Sequence, residues 1–168
     1  MRRLPEGDTL ERTEVETTVW TVGHGEGSPD DLERRLRVAG IQMIVDVRAQ
    51  PAVFRTPDFT KPTLELLAAD AGLGYRWLGA SLGRVSPESP TGSRATAGDA
   101  FVAGIHEIIA LAQVARTVVL CSEQAPDLCR RSLVIAPALC ERGVPVVHLL
   151  GETSWRLHEQ PLPLEDPL

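Results

Sequence analysis

The sequence predicts an α/β fold: one domain with a mostly parallel five-stranded sheet and helices on both faces, a Rossmann-like three-layer arrangement. Short apolar runs alternate with amphipathic segments along the 168 residues, which is typical of β-α-β units. The run at residues 41–47 is apolar nearly throughout, as strands are when both faces of their sheet are covered. The length suits a single domain with its own core.

The first half of the chain predicts three strands, at residues 18–22, 41–47 and 75–78. Ser28 has the side-chain oxygen of a helix N-cap, and Pro29 follows at the first helical position, so a helix is predicted from there to Gly40. A second helix is predicted over residues 61–71, and Gly72 ends it.

The second half of the chain predicts two further strands, at residues 117–120 and 144–150. Residues 79–98 are rich in Gly, Ser, Pro, Thr and Ala, and we expect a loop that acts as a mobile flap over the site. Asp99 is the predicted cap of an amphipathic helix. Another helix is predicted over residues 126–142, and Pro137 should kink or divide it.

The ends of the chain differ in composition from its middle. We expect an N-terminal tail at residues 1–17, a single α/β domain at residues 18–158 and an acidic, proline-rich tail at residues 159–168. The sequence has no apolar signal region and no apolar run of membrane-spanning length,. With three cysteines, these features predict a reduced, cytoplasmic protein. The net charge of −6 does not indicate broad nucleic-acid contact,.

Polar residues collect where the predicted parallel strands end, which is where ligands bind in open α/β sheets. The candidate catalytic residues are Cys121, Glu123 and His24. The candidate ligand-binding residues are Arg48, Asp46, Arg131, Cys129, Arg55 and Arg84. The spacing of Gly23, Gly25 and Gly27 does not fit a dinucleotide fingerprint. No close pair of metal-ligating residues occurs, so no metal is predicted, and no cofactor is indicated.

Several short motifs lie at or near these strand ends. They are Thr21-Val22-Gly23-His24, Val45-Asp46-Val47-Arg48 with Pro51, Arg55-Thr56-Pro57-Asp58-Phe59, Leu78-Gly79 with Leu82-Gly83-Arg84, Cys121-Ser122-Glu123, Cys129-Arg130-Arg131, Arg142-Gly143 and Val147-His148. In this order they resemble the domain of unknown function 488 family over roughly residues 19–150. Arg130 stands where the family commonly has His, and Ala80-Ser81 where it has two glycines. The resemblance implies the fold and the place of the site, and no settled activity.

Three functions fit these residues. The first is binding of a small anionic ligand, phosphate- or nucleotide-like, by Arg48 and Arg131. The second is a thiol-dependent enzyme that uses Cys121, with Cys129, as nucleophile or redox group. The third is a non-enzymatic module that recognises a nucleic-acid end or a protein partner. Against the first, Arg48 could pair with Asp46 or Glu123 as a structural bridge.

The thiol function carries a prediction about acidity. Cys121 should titrate below an ordinary thiol, because Arg48, Arg131 and a helix start near Pro126 favour the thiolate. Burial and the charge of Glu123 oppose this effect. We expect the two guanidinium groups and the helix terminus to outweigh one carboxylate.

Overall fold

The computed structural model describes residues 17–51, 57–83 and 94–159, and in these ranges the predicted α/β fold is confirmed. One sheet has the strand order β3-β2-β4-β1-β5-β6. Its strands are β1 Val19–Gly23, β2 Met43–Asp46, β3 Gly74–Trp77, β4 Thr117–Cys121, β5 Val146–Leu149 and β6 Trp155–Leu157. The first five run parallel, and β6 pairs antiparallel with β5. The sheet therefore has six strands where the sequence predicts five.

Helices cover both faces of the sheet. They are α1 Pro29–Val38, α2 Lys61–Ala71, α3 Gly79–Leu82, α4 Arg94–Val114 and α5 Ala136–Cys140, with short helical turns at Pro57–Phe59, Pro126–Leu128 and Arg131–Ile135. Successive residues of a strand face opposite sides. On β4, Leu120 packs in the cluster with α1 and α2, whereas Cys121 packs in the cluster with α4 and α5. The predicted three layers are present, and the thiol lies in the layer of α4 and α5.

The first two helices begin and end as the sequence predicts. The Ser28 hydroxyl accepts a hydrogen bond from the Asp31 N–H at the start of α1. Thr60 caps α2 in the same way, and Gly72 ends α2 in a left-handed conformation with φ of 71°. Capping side chains and a left-handed glycine satisfy backbone groups that a helix end leaves unpaired. These local signals fix the boundaries of α1 and α2.

The predicted loop at residues 79–98 is wrong at both of its ends. Residues 79–82 form α3, and α4 begins at Arg94, so Asp99 lies inside that helix instead of capping it. Alanines at residues 95 and 97 favour helix, which accounts for the earlier start. The remainder of the predicted flap, residues 84–93, lies outside the described residues.

The predicted helix over residues 126–142 is divided, but at Cys129, whose backbone is extended, and not at Pro137. A 3₁₀ turn precedes a π-helical turn at Arg131–Ile135, and α5 starts directly after it. Pro137 sits in the first turn of α5, where its missing N–H leaves no helical hydrogen bond unmade. Within the described ranges, no helix is both long and apolar enough to cross a membrane.

Candidate functional site

The carboxyl ends of β1, β2 and β4 meet at one edge of the sheet, as predicted. Gly23 lies beside Cys121 in the register of the strands, and Asp46 lies beside Leu120. The backbone N–H of His24 donates to the carbonyl of Cys121 over 3.1 Å. Residues that are distant in sequence therefore form one polar cluster at this edge.

Asp46 and Arg48 form a buried ion pair with two parallel hydrogen bonds. Arg48 Nε donates to Asp46 Oδ1 over 2.9 Å, and Nη2 donates to Oδ2 over 2.8 Å. The Arg48 backbone N–H also donates to Oδ1 over 3.1 Å, and Tyr75 Oη donates to Oδ2 over 2.6 Å. Both carboxylate oxygens are thus occupied, which is the arrangement that makes a buried pair tolerable.

The remaining guanidinium nitrogen of Arg48, Nη1, binds the helical turn at Pro57–Phe59. Nη1 donates to the carbonyl of Phe59 over 2.6 Å, and Trp77 Nε1 donates to the carbonyl of Arg48 over 2.9 Å. The Arg48 side chain is 6% exposed. The structural bridge to Asp46 considered from the sequence is therefore present, while binding of an anion by Arg48 stays a prediction.

His24 is fixed as a neutral ring. Its Nδ1 donates to the carbonyl of Gly25 over 2.8 Å, so Nε2, 3.4 Å from Arg48 Nη1, is left as the acceptor. The ring stacks on Phe59 with centroids 4.1 Å apart. Burial lowers the pKa of His24, and the nearby Arg48 adds to this effect. A buried, neutral, doubly bonded imidazole fits a positioning role better than proton transfer.

Arg131 is wholly buried, and its guanidinium closes the loop that follows β4. Nη1 donates to the carbonyl of Glu123 over 2.5 Å, and Nη2 donates to the carbonyl of Gln124 over 2.7 Å. Nη1 also lies 2.7 Å from Cys121 Sγ. A Cβ atom on Gly23 would collide with the carbonyl of Glu123 and with Nη1. Only glycine at residue 23 permits this approach.

No carboxylate of the described residues pairs with the charge of Arg131. Among the described residues, the hydrogen bonds of Arg131 go to carbonyls and to sulfur, and its Nε is buried without a partner. None of the ion pairs formed within those ranges includes it. A buried charge is costly unless an opposite charge or hydrogen bonds compensate it. The ionisable groups that interact with Arg131 are the thiols of Cys121 and Cys129, the buried His148 and the guanidinium of Arg35.

Cys121 and Cys129 form a hydrogen-bonded pair of buried thiols. Donation by the Cys121 thiol to Cys129 raises the pKa of Cys121 far above its ordinary value, and burial adds to the rise. The same hydrogen bond, the Arg131 backbone N–H and the Arg131 guanidinium together lower the pKa of Cys129 to about 6 against the opposing effect of burial. The prediction of an acidic Cys121 is therefore wrong in its direction, because the hydrogen bond between the thiols and burial raise the pKa of Cys121, and Cys129 is the more acidic thiol of the pair.

The model of the family described as Domain of unknown function DUF488 matches residues 29–137 of the chain. The chain belongs to this family. The match spans α1 to the first turn of α5 and includes the Asp46–Arg48 pair, both buried thiols and Arg131. No curated protein matches the sequence.

The remaining predicted site residues of this DUF488 chain are Glu123, Arg55 and Arg84. The side chain of Glu123 is exposed, and its backbone carbonyl makes the contacts to Arg131 and to Cys121 Sγ. The carboxylate of Glu123 raises the pKa of Cys129, and this effect is smaller than those of Cys121, burial and Arg131. Arg55 and Arg84 lie outside the described residues.

Sequence analysis missed the aromatic and basic residues that support the cluster. Tyr75 and Trp77 alternate on β3 and contact Asp46 and the carbonyl of Arg48. The alternation of two aromatic residues on the strand beside β2 could have indicated their common face. Arg35 of α1 is also buried, and it donates to the carbonyl of Gly23 over 3.1 Å.

A separate polar cavity lies between β5, β6 and the loop after β4. Its volume is about 210 Å³, and it is lined by Asp127, Ser132, His148, Arg156, His158 and Glu159. The buried His148 bridges Thr21 Oγ1 at 2.6 Å and His158 Nδ1 at 3.0 Å. Burial lowers the pKa of His148 to about 4 and also lowers that of His158. In the described ranges no three metal-ligating side chains converge on one point.

Proposed function

We propose that this protein is a thiol-dependent enzyme in which the thiolate of Cys129 is the nucleophile. Cys121 donates the hydrogen bond that stabilises this thiolate, so the roles that the sequence suggests for the two cysteines are exchanged. The observation that carries the proposal is the burial of Arg131 against the thiol pair with no carboxylate partner in the part of the chain that the structure describes.

The buried guanidinium and the two thiols support each other electrostatically. A cation buried without an anion is penalised, and a thiolate beside it removes much of that penalty. The same cation, a thiol donor and a backbone N–H make the thiolate of Cys129 the favoured form,. A pKa lowered to about 6 favours the thiolate of Cys129 at neutral pH,.

The neighbouring cluster around Asp46 supports a rigid scaffold for the thiol site. Its donors and acceptors are engaged with one another, including all three guanidinium nitrogens of Arg48. Arg131 uses Nη1 and Nη2 on carbonyls and on Cys121. Binding of an anionic ligand by Nη1 and Nη2 of these guanidinium groups would have to displace these contacts, and of Arg131 only Nε is left without a partner among the described residues. For that reason we favour thiol chemistry over anion binding.

The test is the ionisation of Cys129 in the full-length protein. Alkylation by iodoacetamide, followed by mass spectrometry across the pH range, should show Cys129 half-reactive near pH 6. Cys140 is the internal control, because burial raises its pKa. The ultraviolet absorbance of the thiolate, compared between the native protein and Cys129→Ser, gives the same pKa without requiring access of the reagent.

The hydrogen bond from Cys121 is tested by two matched variants. Cys121→Ser keeps a donor, so the pKa of Cys129 should remain close to its native value. Cys121→Ala removes the donor, so the pKa of Cys129 should rise. A Cys129 that ionises only above about pH 8.5, as an unperturbed thiol does, would refute the proposed function.

A further inference from the structure

We infer that a small, neutral hydroperoxide oxidises the Cys121–Cys129 pair to an intramolecular disulfide, with Cys129 as the attacking and Cys121 as the resolving thiol. This inference rests on the proposed function, since it requires the thiolate of Cys129. It names the substrate class and the product that the arrangement of the two sulfurs and Arg131 favours.

The burial of the thiols selects the size and charge of the oxidant. Cys121 is 6% exposed and Cys129 is 5% exposed. A bulky disulfide must bring its own sulfur into line with the attacking thiolate, which such burial obstructs. A charged oxidant would lose its hydration beside buried apolar groups. Hydrogen peroxide is small and neutral, so it can reach a sulfur that larger oxidants cannot.

Arg131 supplies a donor for the oxygen that leaves. Its Nε–H is buried and has no partner among the described residues, while its Nη1 lies 2.7 Å from Cys121 Sγ. Breaking an O–O bond places negative charge on the departing oxygen, and a nearby guanidinium stabilises such charge. The guanidinium that carries this unpartnered N–H therefore contacts Cys121, which belongs to the same buried cluster as Cys129.

The reaction has two steps. The Cys129 thiolate attacks one peroxide oxygen, so that an S–O bond forms, the O–O bond breaks and the second oxygen leaves as hydroxide, which takes a proton to become water. Cys121 then attacks the sulfur of the sulfenic acid at Cys129. An S–S bond forms, the S–O bond breaks, and hydroxide leaves with the proton of Cys121 as a second water. Two thiols and one peroxide thus give one disulfide and two waters.

The nearness of the thiols favours the disulfide over further oxidation. The Cys121 thiol is in hydrogen-bonding contact with Cys129, and the carbonyl of Glu123, at 3.7 Å, is a second acceptor for its one S–H proton. A resolving thiol already in contact with the oxidised sulfur reacts within the molecule and competes well with a second peroxide. Cys140 belongs to α5 and has no such thiol partner in the ranges described.

The experiment treats the reduced full-length protein with one equivalent of hydrogen peroxide at pH 7. Intact mass should fall by two hydrogens, and peptide mapping should show Cys121 joined to Cys129. Cys129 should be oxidised at least about fivefold faster than Cys140, since its larger thiolate fraction is partly offset by lower nucleophilicity. Cys140→Ser should leave the rate and the disulfide unchanged.

Variants of the pair separate the two steps. Cys121→Ser should stop the reaction at a sulfenic acid on Cys129, which dimedone traps, and Cys129→Ser should abolish disulfide formation. If Cys129 ionises near pH 6 but peroxide oxidises it no faster than Cys140, the inference fails and the proposed function stands. Faster reaction with oxidised glutathione than with peroxide would also overturn it. An ordinary pKa at Cys129 would refute both.

Discussion

The substitution Asp46→Asn tests the buried ion pair that supports the candidate site. It preserves the shape of the side chain while it removes the negative charge. In the native protein the carboxylate accepts three hydrogen bonds from Arg48 and one from Tyr75. An amide offers one oxygen in place of two and adds N–H donors that face other donors.

The expected cost follows from burial of both partners. Asp46 is fully buried and the Arg48 side chain is 6% exposed, so solvent does little to screen the pair. Removing one partner of a buried pair costs about 3–5 kcal/mol. For a chain of this size each kcal/mol lowers the melting temperature by about 2–4 °C, so we expect Asp46→Asn to melt roughly 6–20 °C below the native protein.

The assay is reversible unfolding by urea and by heat, with Tyr75→Phe and Asp46→Asn/Arg48→Met as controls. Tyr75→Phe removes one hydrogen bond to a charged group, which is worth about 1.5–3 kcal/mol. The double variant leaves no unpaired charge and should be more stable than Asp46→Asn. If Asp46→Asn costs less than about 1 kcal/mol, the pair is not the structural bridge described here. Stabilisation by phosphate that depends on Arg48 would then favour the anion-binding function.

Two further predictions concern Gly23 and His148. Gly23→Ala places a methyl group against the carbonyl of Glu123 and against Arg131. We expect the unfolding free energy to fall by about 1–3 kcal/mol and the pKa of Cys129 to rise. An unchanged Cys129 pKa would contradict the contact between Gly23 and Arg131. His148 has a pKa of about 4 in the folded chain and about 6.5 when unfolded, so acid favours the unfolded state. As pH falls from about 6.5 towards 4, the unfolding free energy of the native protein should fall by about 2–3 kcal/mol more than that of His148→Gln. Urea unfolding at pH 7 and pH 4.5 measures the difference, and equal losses in both proteins would refute it.

The layers of the fold could be predicted because each main strand is an apolar run between capped helices. Ser28 and Gly72 are local signals, and the structure uses both. The sixth strand could not be predicted, because the three residues of β6 are all exposed and carry no burial pattern. The helical turns between Pro126 and Cys140 depend on packing around a proline, which periodicity does not encode.

The position of the candidate site could also be predicted, whereas the hydrogen-bond partners of its side chains could not. Parallel strands bring their carboxyl ends to one edge, so His24, Asp46 and Cys121 were assigned correctly to one region. Which acceptor each guanidinium contacts depends on side-chain directions that the sequence does not give. The acidity of the two thiols depends on the direction of one hydrogen bond between them. The sequence therefore indicates both cysteines as candidate site residues and does not determine which of them is the more acidic.

The balance of buried charge links the scaffold to the thiols. Arg35, Arg48 and Arg131 are buried at this edge, and the buried carboxylate there, Asp46, is engaged by Arg48. Arg35 reaches the partly exposed Asp31 at 3.5 Å. Arg131 has no carboxylate partner among the described residues, and the thiolate that we propose at Cys129 would offset its charge. Oxidation to a disulfide would remove that negative charge, so the state of the thiols would alter the electrostatic environment of Arg131 and of the loop it holds.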